Sequence, residues 1–224
     1  MCGRYAIYGP VSRANRDAIE FLGAETAFHP TFNAAPTQSL PVFRVSAERG
    51  RELTLLRWGL VPSWTKDPAI GARMINARSE TVAEKPAFRA AFRRRRCLVP
   101  MSGFYEWQKA GGRKVPHFVR LLDTDVFAAA GLYEIWSGKG GAEPIESYTI
   151  LTTGANDLMR AVHDRMPVIL HERDYEAWLD PKNEKLEALS ALLTSFPSEK
   201  MCAYAIGTRV NNTRNDGPEL LDPA

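Results

Sequence analysis

The chain has 224 residues, 45% of them hydrophobic and 25% charged, and a net charge of +3. Those are globular values; they exclude a fibre and wholesale disorder, and a chain of this length can bury a core without disulfides or metal staples. Its apolar runs, such as 126–133, fall far short of the about 20 residues a membrane span needs. Met-Cys-Gly-Arg has no charged segment leading into an apolar one, so it does not read as a secretory signal. Cysteines at 2, 97 and 202 make neither a disulfide framework nor a metal-binding pair, and the expected address is the reducing cytosol. Charge is uneven: residues 1–120 hold 16 Arg and 4 Lys against 9 Asp and Glu, whereas residues 121–224 are net acidic. A basic half rich in arginine is the footprint expected of a nucleic-acid binder, and its planar guanidinium suits phosphate. The run Arg93 to Arg96 also reads as a solvated helix end.

In chain order, a capped helix is expected over 12–22, with Ser12 as cap and Ile19 and Leu22 on one face. Strands are expected over 4–8, 41–45 and 53–60 from their β-branched and aromatic content. Phe88 and Phe92, at i and i+4, predict a short helix ending in the arginine run, where cations suit the helix dipole. Segments 103–109 and 115–122 flank Gly111-Gly112, a hairpin signal. Buried strands are expected over 126–136, 148–153 and 201–207, and helices over 174–179 and 184–193. Strands and short helices are mixed without a βαβ alternation. The expected fold is a single α+β domain over 1–224 with an antiparallel, barrel-like curved sheet and short flanking helices.

Cys2 carries the most chemistry. If the initiator methionine is removed, this residue bears a free α-amine and a thiol together. The amine adds to an aldehyde to give a Schiff base, and the thiol closes on the same carbon to give a thiazolidine. At an α-amine pKa of about 7.7–8.0, roughly a tenth is neutral and nucleophilic at pH 7. Any cytosolic protein can begin Met-Cys by chance. Class II glutamine amidotransferases also begin Met-Cys-Gly and use the thiol on a carboxamide, but their further substrate motifs are absent here.

Four more segments combine polar residues in unusual contexts: Asn33-Ala-Ala-Pro-Thr-Gln38; Trp58-Gly-Leu-Val-Pro-Ser-Trp64 with Asn76-Ala-Arg-Ser-Glu-Thr81; Cys97-Leu-Val-Pro-Met-Ser-Gly-Phe-Tyr-Glu-Trp107; and Thr152-Thr-Gly-Ala-Asn156 leading to His163-Asp-Arg-Met-Pro167. With Met-Cys-Gly-Arg at the start and Gly207-Thr-Arg-Val-Asn-Asn212 near the end, the ordered set resembles the SRAP family of SOS-response-associated peptidase-like proteins. That resemblance implies capture of abasic sites in single-stranded DNA through a thiazolidine crosslink, with autoproteolytic removal of Met1.

The resemblance also implies roles. Cys2 supplies amine and thiol, Asn76 holds them, Glu106 is the general acid/base, and His163 assists ring opening. Thr152 or Thr153 lines the same pocket. Arg4, Arg78 and Arg165 are expected on phosphates, Pro36 and Thr37 as a wedge beside the lesion, and Trp64 stacked on a base. Some relatives carry two consecutive tryptophans; here Thr65 follows Trp64. By strand alternation, Glu106 faces away from Tyr105 and Trp107; taken alone it also reads as an exposed carboxylate, and Asn76 as a turn residue. The four histidines lack metal-ligand spacing, no Walker or Rossmann glycine motif is present, and no cofactor is expected. The expected partner is abasic single-stranded DNA, with no membrane and no obligate protein partner, for a cytoplasmic monomer that joins the nucleoid on DNA if bacterial. An N-terminal-nucleophile amidohydrolase and a non-catalytic reader of modified DNA are the competing readings.

Overall fold

A computed structural model describes residues 2–8, 29–46, 50–138 and 142–224; the helix expected over 12–22 lies outside them. The strands are β1 (Tyr5–Ile7), β2 (Thr31–Ala34), β3 (Ser39–Ser46), β4 (Gly50–Trp58), β5 (Asn76–Arg78), β6 (Arg96–Met101), β7 (Gly103–Ala110), β8 (Arg113–Leu121), β9 (Phe127–Trp136), β10 (Ile145–Gly154), β11 (Arg165–Pro167) and β12 (Met201–Ala205). Short helices α1 (Arg89–Arg94), α2 (Asp157–Arg160), α3 (Tyr175–Leu179) and α4 (Leu186–Ala191) flank them.

Two sheets form. The five-stranded sheet has the order β12-β8-β7-β1-β2, and the seven-stranded sheet the order β11-β10-β4-β3-β6-β9, with β5 added on β10. β9 returns to pair with β10 from Trp136↔Ile145 to Gly131↔Ile150, so the larger sheet closes into a ring. This is the α+β, curved antiparallel arrangement that was expected, except that β10 runs parallel to both β4 and β5. The β7–β8 hairpin turns at Gly111 and Gly112, with φ of +55° and +73°, a left-handed pair that suits the twist of its strands.

Alternation sorts the core. Along β9, Phe127, Ala129 and Tyr133 join Cys2, Tyr5 and Trp58 on one face. Ala128, Ala130 and Leu132 pack on the other face against Phe92, Tyr175 and Trp178 of the helices. A third cluster gathers Tyr105, Phe118 and Val210, with Trp107 beside them. Strands β2, β5, β6 and β11 were not expected. Three of them have only three or four residues, too few to display a period, and β6 hides behind the arginine run and Pro100.

That run does not end as a solvated helix terminus. Arg93 and Arg94 are exposed, but Arg96 opens β6 and is 1% exposed. Its guanidinium donates to the carbonyls of Trp178 (2.6 Å), Phe92 (2.8 Å), Arg93 (2.5 Å), Asn183 (3.2 Å) and Asp180, so it gathers α1, β6 and the end of α3 at one point. Burial pushes its pKa down to about 10, against the opposing charge of Asp180. Removing the guanidinium strands several buried carbonyls, each costing about 1–3 kcal/mol. Arg96→Ala should therefore lower unfolding free energy by about 3 kcal/mol or more, whereas Arg93→Ala should stay within about 0.5 kcal/mol of wild type. Denaturant titration of both variants tests this; equal effects would mean that the carbonyl cage contributes nothing.

Candidate active site

The site lies between the two sheets. Cys2 leads into β1, which is held centrally in the smaller sheet by the Tyr5↔Phe104 and Tyr5↔Ala34 pairings and by Tyr105 N–H donating to the Arg4 carbonyl (3.0 Å). The residue is fully buried. Burial, with the Glu106 carboxylate nearby, pushes the Cys2 thiol well above its ordinary range, so the sulfur stays protonated. Beneath it, Tyr5 and Tyr148 join hydroxyl to hydroxyl across the sheets at 2.9 Å, with the Trp58 ring 5.2 Å from that of Tyr5.

Asn76 is brought to Cys2 by two hydrogen bonds to the Ile75 carbonyl and by its own strand pairing. The Ile75 carbonyl accepts from Trp58 Nε1 (2.9 Å) and from Ile150 N–H (3.1 Å), and Asn76 then pairs opposite Ile150 at the start of β5. From there Asn76 Nδ2 donates to the Cys2 carbonyl at 2.8 Å. The backbones at 59 and 71 touch, which only glycine permits: a Cβ on Gly59 would lie 2.5 Å from the Gly71 carbonyl oxygen, and one on Gly71 would lie 2.6 Å from that of Gly59.

Glu106 is only 2% exposed, not the solvated carboxylate of the alternative reading. Tyr105 and Trp107 face the third core cluster, so alternation sends Glu106 toward Cys2. Burial raises its pKa above the ordinary carboxyl range, and His163 pulls it the other way by charge attraction. His163 follows α2, whose cap Asn156 accepts from Met159 N–H at 2.9 Å. His163 Nδ1 accepts from Arg165 N–H (3.0 Å) and lies 2.9 Å from Asp164 Oδ1.

Cys2, Asn76, Glu106 and His163 are thus brought together. Sequence reasoning missed Gln108, which shares a face with Glu106 and donates to the Ala161 carbonyl at 2.7 Å, tying β7 to the turn that carries His163. Its signal was the two-residue spacing from Glu106. Alternation places Thr152, not Thr153, on the Cys2 side of β10: Tyr148 and Ile150 belong to the Cys2 cluster and Leu151 to the other.

The six residues expected on DNA divide differently. Arg78 is exposed at the end of β5, and Trp64 is 56% exposed. Pro36 and exposed Thr37 form a turn in which Thr37 takes a left-handed φ of +73° and donates its N–H to the Trp58 carbonyl at 2.9 Å. Arg4 and Arg165 are engaged internally. Arg4 Nη1 donates to Asn33 Oδ1 (2.8 Å) and the Val210 carbonyl (2.9 Å), and Asn33 Nδ2 donates to the carbonyls of Val210, Asn212 and Asn215. Arg165 makes a two-pronged ion pair with Glu80 (2.5 and 2.9 Å) and donates to the Thr152 carbonyl at 2.6 Å. Among the described residues, no three His, Cys, Asp or Glu cluster closely enough to hold a metal ion. No helix among them is long and apolar enough to cross a membrane.

Comparison with known proteins agrees with the motif order. The family model for SOS response associated peptidase (SRAP) matches residues 1–213. The chain is 40% identical over 227 residues to the abasic site processing protein YoqW of Bacillus subtilis, covering 99% of both. It is 33% identical to the abasic site processing protein HMCES of Gallus gallus, covering all of this chain and 78% of that one. A crystal structure of a protein from Bacteroides thetaiotaomicron superposes with a TM-score of 0.86 at 29% identity over the full length of both.

The raised Glu106 pKa has a stability consequence. A carboxyl whose folded pKa exceeds its unfolded value contributes stability that is full below the unfolded pKa and is lost as pH rises through the folded one. Glu106→Gln cannot ionise. Wild type should therefore lose melting temperature relative to Glu106→Gln as pH rises from about 4 to about 8. Thermal denaturation across that range tests the direction; a wild type that gains on the variant would place a net stabilising charge on the carboxylate.

Proposed function

The chain belongs to the SRAP family, and from that premise we propose that it processes abasic sites by binding single-stranded DNA and crosslinking its own Cys2 to the lesion. The observation that carries the reading is the buried Cys2, fastened through its carbonyl to Asn76 and within the electrostatic reach of Glu106. Hydrolysis of the Met1–Cys2 peptide bond, by the protein itself, frees the α-amine. An abasic deoxyribose is a cyclic hemiacetal that opens to a C1′ aldehyde once its ring oxygen receives a proton. Glu106 is suited to deliver that proton, because burial keeps its carboxyl protonated to higher pH than an exposed one.

The amine then adds to C1′, and loss of water gives the Schiff base. The Cys2 sulfur adds to the same carbon, its proton passes to nitrogen through the Glu106 carboxylate, and the thiazolidine closes. The net change is aldehyde plus aminothiol to thiazolidine plus one water. Asn76 fixes the Cys2 carbonyl so that amine and thiol face one point. His163, electrostatically coupled to Glu106, is the partner that shares its proton. Exposed Arg78 is the phosphate contact of this reading and Trp64 the base stack. Arg165 and Arg4 act by holding the site together.

Incubation with an abasic oligonucleotide followed by intact-mass measurement tests the chemistry. Wild type should give an adduct equal to the Met1-less chain plus DNA minus one water. Cys2→Ala should give none, and Cys2→Ser only a borohydride-reducible Schiff base. Glu106→Gln should slow adduct formation by about 10²–10⁴-fold with DNA affinity unchanged. An equally durable Cys2→Ser adduct, or glutamine hydrolysis in place of crosslinking, would overturn the proposal.

A further inference from the structure

We propose that the exposed cationic ridge leading from the site into α1 is a second DNA-backbone track, taking phosphates of the strand beyond the lesion; the inference rests on the abasic-site reading above. α1 covers Arg89–Arg94 and is entered from a turn: Arg89 N–H donates to the Lys85 carbonyl (2.9 Å) and Phe92 N–H to that of Phe88 (2.8 Å), with Lys85 itself outside the helix. Arg89 and Arg93, four apart on α1, share one ridge, and exposed Lys85 stands in the turn that leads into it. At 1.5 Å rise per residue Arg89 and Arg93 stand about 6 Å apart along the helix. Ala91 and Phe92, on the other side, are buried with Phe88 against the helix-covered core.

All three cations are exposed, and none makes an ion pair among the described residues. Their neighbours differ: Arg94 pairs with Glu184 at 2.9 Å and Arg95 with Glu134 at 2.8 Å. Like charges at i and i+4 repel, so an outside anion lowers the energy of this ridge. Alongside it runs a groove of about 610 Å³ lined by Arg89, Arg93, Arg94, Arg95 and Leu186, with Glu184 as its carboxylate.

The layout selects a chain of phosphates over a single one. The cations are strung along the chain instead of converging on one point, as contact with successive phosphates requires. The guanidinium fork binds phosphate oxygens in pairs. Continuity with the site comes from the backbone. β5 ends at exposed Arg78, Ser79 N–H donates to the Thr152 carbonyl (2.8 Å), and Lys85 N–H donates to the Thr81 carbonyl (3.0 Å). A strand leaving the lesion past Arg78 meets Lys85 first.

The test uses the full chain carrying Lys85→Ala, Arg89→Ala and Arg93→Ala together, and two abasic single strands, one with two nucleotides on each side of the lesion and one with ten. On the long strand the log–log salt slope of binding should fall by about 2, which is about 0.7 per lost phosphate contact, so the affinity change between 50 and 200 mM salt shrinks about twenty-fold. On the short strand, binding and saturating crosslink rate should match wild type. Arg89→Lys with Arg93→Lys should keep the wild-type slope, and thermal melting checks that each variant is folded. An unchanged slope on the long strand overturns the track. So does an equal loss on both strands, because the cations would then act only as a diffuse field. Failure of the wild type to form an adduct would instead defeat the abasic-site reading, while the slope on long undamaged DNA still reports on the ridge.

Discussion

Strand β10 pairs with four other strands along its ten residues, and the candidate site depends on that sharing. Its first six residues close the ring against β9, with β4 alongside at Ser147 and Tyr148; its last five hold β5 and then β11. A one-residue slip in any of these registers would turn Asn76, or the loop after α2, to the opposite face. Asn76 is thus fixed by a ladder, not by its own turn propensity. Arg165 is fixed by pairing opposite Gly154 and by the Glu80 and Thr152 contacts that keep β11 and β5 at one end of β10.

The second requirement is to join the sheets around a chain terminus. Cys2 and Glu106 come from the smaller sheet, Asn76 and His163 from the elements of the larger one. The Asn76–Cys2 and Tyr5–Tyr148 hydrogen bonds span the gap with neutral groups, and the Gln108–Ala161 bond closes its far side. Few waters can reach such a place, so charges act on one another at low effective dielectric. That is why the thiol is held protonated and the carboxyl is raised. Both consequences suit a reaction that needs protons in hand and an amine as the first nucleophile.

The fold also redistributes charge. The basic first half and acidic second half are stitched together by Arg44–Glu146, Arg51–Glu176, Arg94–Glu184, Arg95–Glu134 and Glu80–Arg165. Part of the arginine excess is therefore taken up in ion pairs, those of Arg51 and Arg94 at the surface. What remains outward on the segment after β5 is Arg78, Lys85 and the ridge of α1.

Composition and alternation made the strand-rich α+β class legible, and the glycine pair at 111–112 placed the hairpin, because both are local properties of the backbone. The chemistry of Cys2 was likewise readable, since an aminothiol needs no neighbours to be one. The side of the sheet taken by Glu106 followed from the aromatics on either side of it. Its burial did not, because burial depends on what covers the other face. Arg96 and Arg93 stand three residues apart in one run, yet one is caged by carbonyls and the other open to solvent; only the packing of α3 decides between them. The same holds for Arg165 against Arg78. Local sequence states what a side chain can do, whereas its partners lie tens of residues away, and it took the closure of the ring on β10 to choose which arginines became structure and which remained available to a ligand.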